Sequence, residues 1–178
     1  MKDIKIIFAG FGGQGILFAG KVVAYAGLMD GKEVSWLPSY GPEMRGGTAN
    51  CSVCVSEEPV SSPLVINPDI LVAMNYPSYE KFIDKVVPGG TVIIDSTLID
   101  AKVERTDVNV YYVPATRLAD ENGFKGLANI IILGKLFTVC DICSKKSIEA
   151  GIRKSVPARK QNLVEANLKA IEIGAAVV

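Results

Sequence analysis

Gly10-Phe11-Gly12-Gly13-Gln14-Gly15 is the first stretch of this 178-residue chain that could hold a ligand. It follows an apolar run of strand length, Ile4 to Ala9, and opens a helical pattern that lasts from Ile16 to about Met29. Glycines in that setting allow a tight turn and let backbone N–H groups at a helix N-terminus approach a phosphate. Gly12, Gly13, Gln14 and Gly15 are therefore the candidate anion-binding residues. Three occupants are open: a dinucleotide, another anion, or none, with the glycines serving only a packed βα turn. A dinucleotide site also wants an acidic residue roughly 20 positions on, closing the second strand. Here Glu33 begins that strand and no Asp or Glu ends it, which weighs against a dinucleotide.

A second candidate is Pro38-Ser-Tyr-Gly-Pro-Glu-Met-Arg-Gly-Gly47. Two prolines and three glycines forbid regular structure, yet Tyr40, Glu43 and Arg45 are interleaved among them. A spacer would be smaller and more polar. These three residues are expected at a subunit contact or at the mouth of a shared active site, the bland alternative being a surface loop. Four cysteines form two C-x-x-C pairs, Cys51/Cys54 and Cys140/Cys143. The first pair falls in an extended run, where residues three apart face opposite ways and cannot clasp one metal. The second closes an apolar helix, where buried cysteines are ordinary. The chain has no histidine, so the commonest general base and imidazole ligand are missing. No catalytic residue and no metal site are assigned.

The elements that must carry these residues alternate. Strands are expected at 4–9, 33–37, 48–56, 69–74, 91–95 and 108–113, and helices at 16–29, 78–87, from 114 onward, 127–139, 147–154 and 159–175. In the last helix Leu163, Ala166, Ala170 and Ile173 share a face. The 127–139 helix is apolar nearly all round, with Asn129 and Lys135 as the exceptions, so it belongs in a core or an interface. Asp95 ends a buried strand, where it can face a ligand or, more simply, cap the following turn. Alternating strands and helices predict one three-layer α/β/α domain over residues 1–178, with a mainly parallel sheet and a Rossmann-like first βα unit. Lys plus Arg equals Asp plus Glu, 19 each, so no bulk charge drives the chain toward nucleic acid or a membrane. No signal-peptide pattern opens the chain, and no apolar run nears the ~20 residues of a membrane span. The expectation is a cytoplasmic protein with a large buried face.

The two loops together carry a resemblance. Gly10-Phe-Gly-Gly-Gln-Gly15 followed by Tyr40-Gly-Pro-Glu-Met-Arg-Gly-Gly47 resembles the gamma subunit of the 2-oxoacid:ferredoxin oxidoreductases (the pyruvate/ketoisovalerate gamma type). The stretch Leu37 to Cys51 is most similar to the 2-oxoglutarate-type members. Asn67-Pro68-Asp69, Pro88-Gly89-Gly90 and Leu133-Gly134-Lys135 agree as well. The resemblance implies a complex that oxidatively decarboxylates a 2-oxoacid to an acyl-CoA and reduces ferredoxin. It implies thiamine diphosphate and iron–sulfur clusters on partner subunits, with none bound by this chain. It further implies alpha and beta partners, a delta partner in some complexes, and ferredoxin met only indirectly. The chain alone is then inactive, and a homodimer when isolated. Its part is to complete the active-site assembly, with coenzyme A at the shared site. The rival reading is an independent dinucleotide-binding oxidoreductase that uses the first glycine loop.

Overall fold

The computed structural model describes residues 3–39 and 48–178. Six strands make one sheet: β1 Ile4–Phe11, β2 Glu33–Ser39, β3 Thr48–Ser56, β4 Ile70–Ala73, β5 Thr91–Asp95 and β6 Asn109–Val113, in the order β2-β3-β1-β4-β5-β6. β1, β4, β5 and β6 pair in parallel, and β3 runs antiparallel to both β1 and β2. β2 therefore points the same way as β1, and only β3 is reversed. β1 is apolar from Ile6 to Ala9 because it is covered twice: Ile6 and Phe8 enter one core, Ile7 and Ala9 the other. It continues past the apolar run to Phe11, since β3 offers pairing as far as Thr48. β2 likewise runs on through Pro38 to Ser39; as an edge strand it can accept a proline without breaking an inner ladder.

The helices are α1 Ile16–Met29, α2 Tyr76–Phe82, α3 Ala115–Glu121, α4 Ala128–Val139, α5 Lys145–Ser155 and α6 Val164–Ala175. α1, α3, α4, α5 and α6 cover one face of the sheet. α2 and the irregular segments around Val65 and Ile99 cover the other. Close crossings hold the thick layer together. A Cβ on Gly174 would collide with the carbonyl of Ile131, and one on Gly134 with that of Ile171. This approach sets the buried stripe of α6 as Val164, Asn167, Ala170 and Gly174. Leu163 is exposed, and Ala166 and Ile173 are only half-buried, so the stripe expected from the sequence is displaced except at Ala170. Residues Ala158–Leu163 form a 3-10 turn instead of the first turns of that helix, and Ile83–Lys85 does the same after α2. α5 begins at Lys145, two residues before its expected start, because the Ser144 hydroxyl accepts the N–H of Ser147 and caps it. No helix among the described residues is long and apolar enough to cross a membrane.

Candidate functional site

β1 ends beside the point where the chain's connections part, toward β2 and β3 on one side and β4 on the other. In open α/β sheets ligands settle in the crevice at such a switch point, beyond the carboxyl ends of the strands. Here Phe11 to Gln14 makes a hydrogen-bonded turn, Gln14 N–H to Phe11 C=O at 3.2 Å. Its third residue, Gly13, has φ +91°, the position where a type II turn needs glycine. Gly15 follows in the left-handed region (φ 73°, ψ 24°) and starts α1.

The side chain of Gln14 turns back into the protein. Its Oε1 accepts the N–H of Phe11 at 2.6 Å, and its Nε2 donates to the carbonyl of Met74 at 2.9 Å. It bridges the ends of β1 and β4. The N–H groups of Gly12, Gly13, Gly15 and Ile16 meet no acceptor among the described residues. α1 has no side-chain cap and no acidic residue in its first turn, so its positive end is uncompensated among the described residues. α4 begins in the same way, without a cap or an acid. The two starts touch: Asn129 Nδ2 donates to the carbonyl of Gly15 at 3.0 Å. Asn129 is 2% exposed, and its Oδ1 has no partner among the described residues. A buried acceptor left this way costs about 1–3 kcal/mol.

Gly13 and Gln14 of this loop and Ala128 at the start of α4 line a cleft of about 220 Å³. Met74, Leu98, Thr116 and Asp120 line it as well. Uncompensated helix starts suit an anion, whereas the Asp120 carboxylate suits a hydroxyl or amino group of the same ligand. Ligand pockets commonly span roughly 300–1,000 Å³, so this cleft is a small one. Asp95 is not among the ligand-facing groups. Its buried carboxylate accepts the N–H of Thr97 at 3.1 Å, and the N–H and Oγ1–H of Thr116 at 3.2 and 2.6 Å. It caps the turn after β5 and tethers the start of α3.

Gly13 and Gln14 thus lie on one cleft, with Gly12 and Gly15 in the same loop. Tyr40, Glu43 and Arg45 lie outside the described residues. Their neighbours Ser39 and Thr48 stand at this edge of the sheet, Thr48 directly opposite Phe11. A dinucleotide fits poorly. β3 separates β2 from β1, so the end of β2 is two strand spacings, roughly 9–10 Å, from the glycine loop, and it carries no acid. Cys51 packs in the core on the helix-rich face and Cys54 in the core on the opposite face, as residues three apart in β3 must. Burial pushes the thiols of Cys51 and Cys143 up to about 12 and raises that of Cys140, which keeps them protonated and poor ligands at neutral pH. Among the described residues no three His, Cys, Asp or Glu side chains gather where they could hold a metal.

Sequence reasoning missed Met74, Leu98, Thr116 and Asp120, which topology alone brings to the cleft. Asn129 did leave a signal, as a polar exception in an apolar helix.

Residues 5–177 match the family model for pyruvate ferredoxin/flavodoxin oxidoreductase. The chain is 42% identical to 2-oxoglutarate synthase subunit KorC of Methanocaldococcus jannaschii, across 97% of this chain and 91% of that one. It is 38% identical to the ketoisovalerate oxidoreductase subunit VorA of Methanothermobacter thermautotrophicus, covering 97% of itself but 36% of that longer protein. Among solved structures, the gamma subunit of a keto/oxoacid ferredoxin oxidoreductase from Geobacter sulfurreducens superposes with a TM-score of 0.82 at 29% identity, over 96% of this chain and 95% of that one. The 2-oxoglutarate:ferredoxin oxidoreductase of Magnetococcus marinus, solved with 2-oxoglutarate, coenzyme A and succinyl-CoA bound, gives 0.87 at 28% identity, over 99% of this chain and 31% of that one.

Proposed function

The chain belongs to the pyruvate ferredoxin/flavodoxin oxidoreductase family, and on that premise we propose that it is the gamma subunit of a 2-oxoglutarate:ferredoxin oxidoreductase. The complex decarboxylates the 2-oxoacid oxidatively, forms the acyl-CoA and passes electrons to ferredoxin. The observation that carries this reading is end-to-end agreement with a 2-oxoglutarate synthase subunit, at 97% and 91% coverage of the two chains. The 38% identity to a ketoisovalerate oxidoreductase subunit makes the branched-chain 2-oxoacid the second substrate to try. Thiamine diphosphate and the iron–sulfur clusters belong to partner subunits in this proposal: alpha, beta and, where present, delta. The isolated chain is inert and a homodimer, and the complex is cytoplasmic, in keeping with four unpaired cysteines.

The part we assign to this chain is one side of the coenzyme A site. Gly12, Gly13, Gln14 and Gly15 form the anion-binding wall, and an anionic group of the cofactor-sized substrate lies against the starts of α1 and α4. N–H groups without an acceptor among the described residues, at the edge of a small cleft, support this division. The remainder of coenzyme A rests on partner subunits, with Tyr40, Glu43 and Arg45 at the shared mouth. The test is reconstitution. Purified partner subunits should reduce ferredoxin with 2-oxoglutarate and CoA only when this chain is added, and ketoisovalerate should be the poorer substrate. CoA-dependent turnover without this chain, or by this chain alone, contradicts the proposal.

A further inference from the structure

We propose that Gln14 and Asn129 are positioning residues for the coenzyme A site: their carboxamides hold the glycine loop in shape, and the main chain makes the ligand contact. The inference rests on the coenzyme A reading above and assigns roles within it. Gln14 lies on the cleft wall and, from its sequence position, would be taken for a ligand donor. Its geometry assigns it otherwise. Oε1 is engaged by the Phe11 N–H at 2.6 Å and Nε2 by the Met74 carbonyl at 2.9 Å. The second Nε2 N–H is still free, but swinging the carboxamide out toward an anion would strip both strand ends of a partner. The bridge joins the first and fourth residues of the loop turn and ties them to β4. The hydrogen bonds thereby fix where the Gly12 and Gly13 amides stand relative to Met74, which lines the cleft.

Asn129 fastens the other end of the loop. Its Nδ2 holds the Gly15 carbonyl at 3.0 Å, so the start of α4 moves with the start of α1. A Cβ on Gly15 would collide with that same Nδ2, so the contact is as close as a glycine allows. Asn129 is 2% exposed, and its Oδ1 stays without a partner among the described residues. Leucine or alanine would suit a helix that is otherwise apolar but for Lys135 and Thr138, without leaving a buried acceptor unpaired. Breaking that local rule beside a ligand cleft points to a role other than packing.

The test uses the assembled complex with Gln14→Met, which keeps length and volume but makes neither hydrogen bond, with Gly13→Ala, and with the two combined. Gln14→Met should raise KM for CoA about tenfold while kcat and KM for the 2-oxoacid stay within about twofold. Because Gln14 acts through the loop that Gly13→Ala distorts, the double variant should rise by clearly less than the product of the single effects. Asn129→Ala cuts the second tie and should give the same split at about threefold, and it serves as the test if Gln14→Met does not assemble. A rise with Gly13→Ala but none with Gln14→Met or Asn129→Ala overturns the positioning role and leaves the coenzyme A site standing. Multiplicative effects also overturn it, because they mark Gln14 as an independent contact. No change in KM for CoA with any variant overturns both the positioning role and the coenzyme A reading.

Discussion

The two ends of α1 are finished in opposite ways. At its C-terminus backbone and side-chain hydrogen bonds close the helix. Lys32 N–H returns to the Gly27 carbonyl and Gly31 N–H to that of Leu28, a Schellman closure. The Asp30 carboxylate accepts the Ser144 N–H at 3.1 Å and the Ser147 hydroxyl at 2.7 Å, and Lys32 Nζ donates to the Ile142 carbonyl. Asp30 thereby fastens α1 to the start of α5, where a negative charge is favoured by the helix dipole. At the N-terminus no side chain caps the helix, its first turn holds no acid, and the N–H groups of Gly12, Gly13, Gly15 and Ile16 are among those with no acceptor among the described residues. One end of the helix is used to hold the fold, and the proposal gives the other to a ligand. Stability and function should therefore separate along a single helix.

The largest effect expected is Gly15→Val, which forces a β-branched residue to φ 73° and drives its Cβ into Asn129. The combined strain and overpacking should cost about 3 kcal/mol, or roughly 10 °C in Tm, measured by calorimetry. It would show that the open end is structurally demanding despite its missing bonds. Next, Asp30→Ala removes two hydrogen bonds to a charged group at the closed end and should cost about 2 kcal/mol by urea unfolding. KM for CoA in the complex should not change. If it does, the two ends are not separate.

A gentler probe of the closed end is pH. The Ser147 and Ser144 hydroxyls hold the Asp30 carboxyl at about 2, below its ordinary 3.8. Between those values the unfolded chain binds more protons than the native one, so stability falls as pH drops from about 4 toward 2. Asp30→Asn should flatten that fall in urea midpoints taken at a series of pH values. The smallest effect on the fold is expected from Gly13→Ala. Open space surrounds its Cβ, so only the φ of +91° is costly, about 1 kcal/mol. KM for CoA should nevertheless rise severalfold, the reverse of Asp30→Ala.

Local chemistry was enough to read one end of α1 and not the other. A strand run from Ile4, a glycine turn and an apolar helix announce the open end in sequence order. The closed end depends on Asp30 meeting Ser144 and Ser147, more than a hundred residues on, and nothing near Asp30 signals it. The same division runs through the fold. β4 and β5 are legible because burial on both faces makes them continuously apolar. The insertion of β3 between β1 and β2 is invisible locally, since any strand can pair either way. The α6 stripe was misread because Gly174 has no side chain to register, yet its close approach to Ile131 sets the helix rotation. Within the site, Gln14 was legible as a member of the loop but not as its brace. Its bonds reach Met74, which sequence places sixty residues away.

Hydrogen–deuterium exchange on the assembled complex, with and without CoA, tests most directly the claim that the open end of α1 receives the anion. Peptides covering residues 11–18 should exchange more slowly when CoA is present, and peptides covering residues 27–33 should be unchanged. Equal protection at both ends, or none at residues 11–18 under saturating CoA, would contradict it.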